Sequence, residues 1–256
     1  MKLRKLKAAF AVSVMALIAC CALVLAGCSG GTQASSDSAS SETGSSAADA
    51  STSASVAAEA SASAAASAGA NAAGSEYGSG IHHARLTVEG YDPIDIELDA
   101  DAAPLTVANF CELANEGYYD GLTFYRIDEG FCLQGGTKGN SAQGRDSSSK
   151  PIPGEFSANG YDNPLADDFK KGTVAMARSS NPDSATSTFF VTLDTSQKVS
   201  VSLNGLYAAF GTIDEDGMAI VDQIVADYLP NVSDPQMGII ADEAGQAKIV
   251  SLQIID

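Results

Sequence analysis

The sequence has no tryptophan and few cations: Lys and Arg number 14 against 32 Asp and Glu in 256 residues. Four of the 14 (Lys2, Arg4, Lys5, Lys7) precede the first apolar run. Residues 81–256 therefore hold ten bases against 27 acids. A surface of that sign repels nucleic acid and anionic lipid, which argues against both as partners of the folded part. Cysteine is scarce too. Cys20, Cys21 and Cys28 lie near the N-terminus, and only Cys111 and Cys132 remain, too few for a disulfide framework. One bridge between those two is allowed, but their spacing does not ask for it. There is no CxxC and no His/Cys cluster for zinc, and His82-His83 stands without accompanying ligands. The Gly-rich run 135–144 lacks the Lys-Ser/Thr ending of a phosphate loop, and the S-x-x-K at 147–150 lacks its partner motifs. Asp99/Asp101 and residues 214–216 lack the spacing of a calcium loop. Beyond residues 8–26 no apolar run is long enough to span a bilayer.

What is present divides the chain into three parts. Residues 2–7 are basic, 8–26 are apolar, and Leu25-Ala26-Gly27-Cys28 follows, which is the order of a secretory signal. The Leu-Ala-Gly-Cys ending resembles the bacterial lipobox. That resemblance implies a lipoprotein signal peptide over 1–27 and acyl chains on Cys28; two chains suffice for stable membrane attachment. Residues 29–80 contain 17 Ala and 16 Ser among 52 positions and no Lys or Arg. With no apolar periodicity, this tract has nothing to offset the entropy of ordering, so residues 28–80 read as a lipid-anchored, disordered linker. As a coil it spans roughly 40 Å. Residues 81–256 are enough for one domain with a full core.

Within that domain Leu86 and Val88, then Ile94, Ile96 and Leu98, alternate across the turn 89–92, which predicts a β-hairpin. Pro104 opens a helical pattern carried by Val107, Phe110 and Leu113, with Gly117 to end it. Short apolar segments follow at 122–127, 131–134, 173–177, 188–193 and 207–213. Met218, Val221, Ile224 and Tyr228 predict a second helix, and Val250, Leu252 and Ile254 a closing strand. Many short strands and two helices point to a closed antiparallel barrel.

Four segments carry candidate chemistry: FYRIDEGFCLQGG at 124–136, GEFSANG at 154–160, MARSSNPDSATSTFF at 176–190 and LNGLYAAFG at 203–211. Together with PLTVANF at 104–110, they make residues 85–255 resemble the cyclophilins, in their bacterial style. The resemblance implies a mainly β fold: an eight-stranded antiparallel barrel capped by two α-helices, with a substrate groove on its outside. It implies cis/trans isomerisation of X-Pro bonds with no metal and no cofactor. It implies X-Pro segments of unfolded or exported proteins as partners, and a monomer held to a bacterial membrane through Cys28.

By the same resemblance Arg126 matches the catalytic arginine. Phe131 and Phe190 match the floor that receives the proline ring, and Cys132 and Leu203 its walls. Gln134 matches the polar residue that supports the arginine. Ala177 and Arg178 match the groove strand, and the segment 135–153 a loop beside a neighbouring pocket. Departures are visible. Thr188 stands where many members have Gln, and Cys132 where eukaryotic members have Met; with the long tether these leave open a proline-peptide binding module with little turnover, and the acidic face leaves open a surface interaction protein. Tyr207 replaces a His, Glu129 a common Pro, and Ser202 a Trp that contributes to cyclosporin binding, so weak binding of that drug is expected. The chemistry suits these residue types. An imide needs no nucleophile; it needs a grip on the ring, a donor to the nitrogen as its lone pair localises, and a dry surface.

Overall fold

The computed structural model describes residues 74–144 and 149–256. The expected signal peptide, Cys28 and the linker up to residue 73 lie outside the described residues. Eight strands are present: β1 (Ile81–Val88), β2 (Ile94–Asp99), β3 (Thr123–Asp128), β4 (Cys132–Gly135), β5 (Thr173–Met176), β6 (Phe189–Thr192), β7 (Ala209–Thr212) and β8 (Ala247–Ile254). The helices are α1 (Pro104–Asn115), the single turn α2 (Pro164–Asp167), α3 (Gln197–Leu203) and α4 (Glu215–Tyr228). The strands close into an antiparallel barrel in the order β1-β2-β7-β5-β6-β4-β3-β8. None of the described helices is long and apolar enough to cross a membrane.

Alternation builds the barrel. Ala84, Leu86 and Val88 of β1 and Ile94, Ile96 and Leu98 of β2 all point inward and are at most 1 % exposed. Five aromatic rings fill the middle: Phe110 lies 4.9 Å from Phe210 and 5.5 Å from Phe189, and Phe189 in turn meets Tyr119 and Phe124. Residues 74–80, placed in the linker by composition, include Tyr77, which packs against this core and accepts a hydrogen bond from Asn115 Nδ2 at 2.8 Å.

Both long helices start where the sequence dictates. Pro104 opens α1, where its missing N–H costs nothing. The next donors are met from a distance: the buried Glu155 carboxylate accepts from the N–H groups of Leu105 (3.1 Å) and Thr106 (2.8 Å) and from the Thr106 hydroxyl (2.6 Å). Burial raises the Glu155 pKa; these hydrogen bonds pull the other way. At α4, the Asp214 side chain accepts from the Gly217 N–H at 2.8 Å, an N-cap, and Glu215 and Asp216 follow in the first turn.

The outer face of the same strands creates a second apolar cluster. On β6, Phe189 enters the barrel and its neighbour Phe190 points out. On β4, Leu133 points in and Cys132 out. With Phe156, Phe169, Val199 and Leu203 they form a small satellite core under α3. On β3 the pairing with β4 slips between Phe124 and Arg126. The slip lets Phe124 and Ile127 both face the core, and leaves Arg126 and Asp128, two residues apart, on one outward face. Gly135 permits the close crossing of β3 and β4: a Cβ there would meet the Thr123 carbonyl oxygen at 2.3 Å.

Candidate active site

Arg126 leaves β3 half-buried, and three protein acceptors hold its guanidinium. Nε–H donates to the Met237 carbonyl at 2.8 Å, Nη1 to Gln134 Oε1 at 3.1 Å and Nη2 to Asp128 Oδ2 at 3.0 Å. A guanidinium has five N–H groups, so two keep no protein partner. The guanidinium carbon lies 5.7 Å from the centre of the Phe131 ring. Arg126 and Gln134 are direct partners in the β3–β4 ladder, which is why the two side chains meet. Gln134 is oriented in its turn, since its Nε2 donates to the Tyr125 hydroxyl at 2.7 Å.

Next to the arginine lies the outer apolar cluster. Phe190 pairs with Gln134 across β4–β6. Its ring stacks on Phe169 at 6.3 Å and meets the edge of Tyr207 at 5.9 Å. Phe190, Cys132 and Leu203 are 3 %, 0 % and 2 % exposed. Phe131, Ala177 and Tyr207, partly open, pack against them and extend the apolar surface outward. Burial pushes the Cys132 thiol up to about 12, so it stays a neutral apolar wall. Cys111 and Cys132 are both free thiols, each in a different core cluster.

Beyond Gln134 opens a cavity of about 580 Å³ lined by Tyr125, Gln134, Ala177, Arg178, Thr188 and the loop residues around Thr137 and Pro151. The structure thus brings together all ten side chains singled out in the sequence. Phe131, Cys132, Ala177, Phe190, Leu203 and Tyr207 belong to the outer apolar cluster beside Arg126. Gln134, Ala177, Arg178 and Thr188 line the cavity, where Ala177 N–H donates to the Thr188 carbonyl at 2.8 Å.

Four participants were not anticipated. Asp128 binds Arg126 and also accepts from Lys198 Nζ at 3.1 Å; that ammonium lies 4.8 Å from the Phe131 ring centre. The Met237 carbonyl and the Tyr125 hydroxyl complete the set. Asp128 carried a signal in its two-residue offset from Arg126 on a strand; Met237, 111 residues away, carried none. His82 and His83 do not approach this site, since both engage Asp256 at the chain's other end. Among the described residues there is no group of three or more His, Cys, Asp and Glu that could hold a metal.

Residues 83–241 match the family model described as cyclophilin type peptidyl-prolyl cis-trans isomerase/CLD. A peptidyl-prolyl cis-trans isomerase of Acinetobacter baylyi is 36 % identical over 163 residues, which is 63 % of this chain and 79 % of that protein. Peptidyl-prolyl cis-trans isomerase A of Dickeya dadantii is 34 % identical over 151 residues, 59 % of this chain and 74 % of that one. In fold, the crystal structure of a Cryptosporidium parvum cyclophilin type isomerase superposes with a TM-score of 0.55 at 22 % identity, covering 69 % of this chain and 99 % of the other. With this eight-stranded barrel, an arginine pinned beside an outer apolar cluster, and these relatives, the chain belongs to the cyclophilin-type peptidyl-prolyl cis-trans isomerases.

Proposed function

We propose that Arg126 is the catalytic residue and that the floor of Phe131 and Phe190 receives the proline ring, with the isomerase acting on exported proteins at the outer face of a bacterial membrane. The observation that carries the catalytic assignment is the geometry of the guanidinium: three donors are spent on fixing it and two are left beside an apolar floor.

Chemistry follows from the bond. An X-Pro imide resists rotation because its nitrogen shares a lone pair with the carbonyl, and the barrier is about 18–20 kcal/mol. Twisting localises the lone pair on nitrogen. A proline ring held on the Phe131–Phe190 floor would present that nitrogen to the spare N–H groups of Arg126, which gain a stronger acceptor only as the bond twists. Interactions stronger in the transition state than in the ground state are the ones that accelerate a reaction. Gln134, Asp128 and the Met237 carbonyl hold the donor in place beforehand, so little reorganisation is left for the moment of rotation.

No proton changes hands in this scheme, which makes a pH profile informative. A guanidinium remains charged at any ordinary pH. Cys132 and Tyr125 both have raised pKa values, chiefly through burial, and stay protonated well above neutrality. With a peptide free of titrating groups, kcat/KM should vary by less than about twofold between roughly pH 6 and 9, because the scheme transfers no proton. A bell-shaped profile with a near-neutral inflection would mean a proton-transfer step and would overturn the scheme.

The location rests on residues 1–28 alone. The basic, apolar and Leu-Ala-Gly-Cys order supports export and acylation at Cys28. The Ala/Ser-rich tract supports a spacer that lets the domain reach chains emerging on that side. Cys28→Ser should move the protein from the membrane fraction to a soluble or unprocessed form and abolish labelling by a radioactive fatty acid. Retention of both would overturn the anchor.

A further inference from the structure

The cavity beyond Gln134 has an electrostatic character unlike the rest of the domain. Arg178 follows β5, with its guanidinium carbon 4.5 Å from the Tyr207 ring centre and 5.1 Å from that of Phe156. Nε and Nη2 both donate to the Leu206 carbonyl, at 2.9 and 2.6 Å, and Nη1 to the Ser179 carbonyl at 2.9 Å. These acceptors are all neutral. Arg85, Arg126, Lys170, Lys171 and Lys198 each meet a carboxylate within 3.1 Å; Arg178 meets none among the described residues. Its charge is therefore fixed in place yet uncompensated, and one N–H on each terminal nitrogen is left over, the fork that matches a carboxylate.

The wall of the cavity agrees. Arg178 is the sole charged side chain among its described lining residues, in a domain with 27 acids, and hydroxyls of Thr137, Ser184, Thr186 and Thr188 supply further polar surface. The domain's overall negative charge opposes an incoming acid. At physiological salt, however, charges more than about 8 Å apart are largely screened. A carboxylate in contact with Arg178 feels that cation far more than the distant acidic surface.

We propose that this cavity takes an acidic side chain of the substrate, so that the enzyme prefers prolines with an Asp or Glu nearby on one side. The inference rests on the reading of Arg126, Phe131 and Phe190 as the proline site, since the cavity continues from Gln134. Arg178 here determines specificity and does not touch the isomerising bond.

The test uses the full-length protein and short proline peptides in which Glu, Gln or Lys is placed in turn at each of the two positions before and after proline. Exchange rates are read by NMR, so no auxiliary protease imposes its own preference. At one position Glu should exceed Gln in kcat/KM by about three- to tenfold, the range of a half-exposed charged contact, and added salt should shrink the advantage. Arg178→Gln should bring that ratio to about one, Arg178→Lys should keep part of it, and Arg178→Glu should turn the preference toward Lys. The reversal is a gain of function that a merely damaged fold cannot produce. Equal rates for Glu and Gln at every position in an active enzyme, or a ratio indifferent to Arg178→Glu, would overturn the inference and leave the isomerase reading standing. If no peptide were isomerised, the proline-site reading itself would fall, and this one with it.

Discussion

Arg126→Ala lowers kcat/KM for a proline peptide by about 10²–10³, the loss typical of removing one preorganised electrostatic donor, while the barrel remains folded. The side chain is on the outer face and belongs to neither core cluster, so its removal opens no cavity inside. One charged hydrogen bond contributes about 1.5–3 kcal/mol, or roughly 10- to 150-fold in rate. The remainder comes from what the guanidinium organises: Gln134 and Asp128 lose a common partner, and Phe131 loses the cation beside its ring. Arg126→Lys would keep the charge but could not satisfy Met237, Gln134 and Asp128 at once, so it should recover only part of the rate. Exchange NMR measures the rate, and circular dichroism checks the fold. A variant within twofold of the wild-type rate would remove Arg126 from the mechanism. Retained peptide binding with exchange slowed by that factor is the expected signature of the alanine variant.

Phe190→Ala should damage stability and catalysis together. The ring is 3 % exposed and is held by Phe169, Tyr207 and the satellite core, so truncation leaves a void beneath the groove. Phe→Ala in such a setting costs about 3–5 kcal/mol, which for a domain of this size lowers Tm by roughly 6–20 °C. Well below the transition the surviving native protein should show a raised KM, because the surface that grips the ring is gone. Phe190→Leu separates the two effects: it restores most of the volume, and with it most of the stability, but offers no flat ring. Thermal unfolding and peptide kinetics on both variants decide the matter. An unchanged KM in folded Phe190→Ala would make the residue a core residue only.

Much of this was legible before the structure. The hairpin of β1 and β2, the start of α1 at Pro104 and the face of α4 follow from alternation, ring constraint and helical spacing, all local properties. Strand order was not legible from periodicity. That β6 lies between β4 and β5 depends on how outward and inward faces pack over long separations; the resemblance of the motifs supplied the closed eight-stranded barrel but not the order of its strands. The short α3 escaped notice because seven residues with only Val199 and Leu203 buried leave too little pattern. At the site, side chains were legible and backbone groups were not. Arg126, Gln134 and Phe190 stand in recognisable segments, but the Met237 carbonyl comes from a loop over a hundred residues away with no motif of its own. Lys198 belongs to the helix that was missed, so its bridge to Asp128 was missed with it.

The barrel is closed by the last of its strands, since β8 fills the gap between β1 and β3. Until residues 247–254 are available, both neighbours present unpaired peptide edges to their surroundings. Closure of the barrel must therefore wait for this last strand to be delivered, and the nascent domain is itself open to mispairing during that interval.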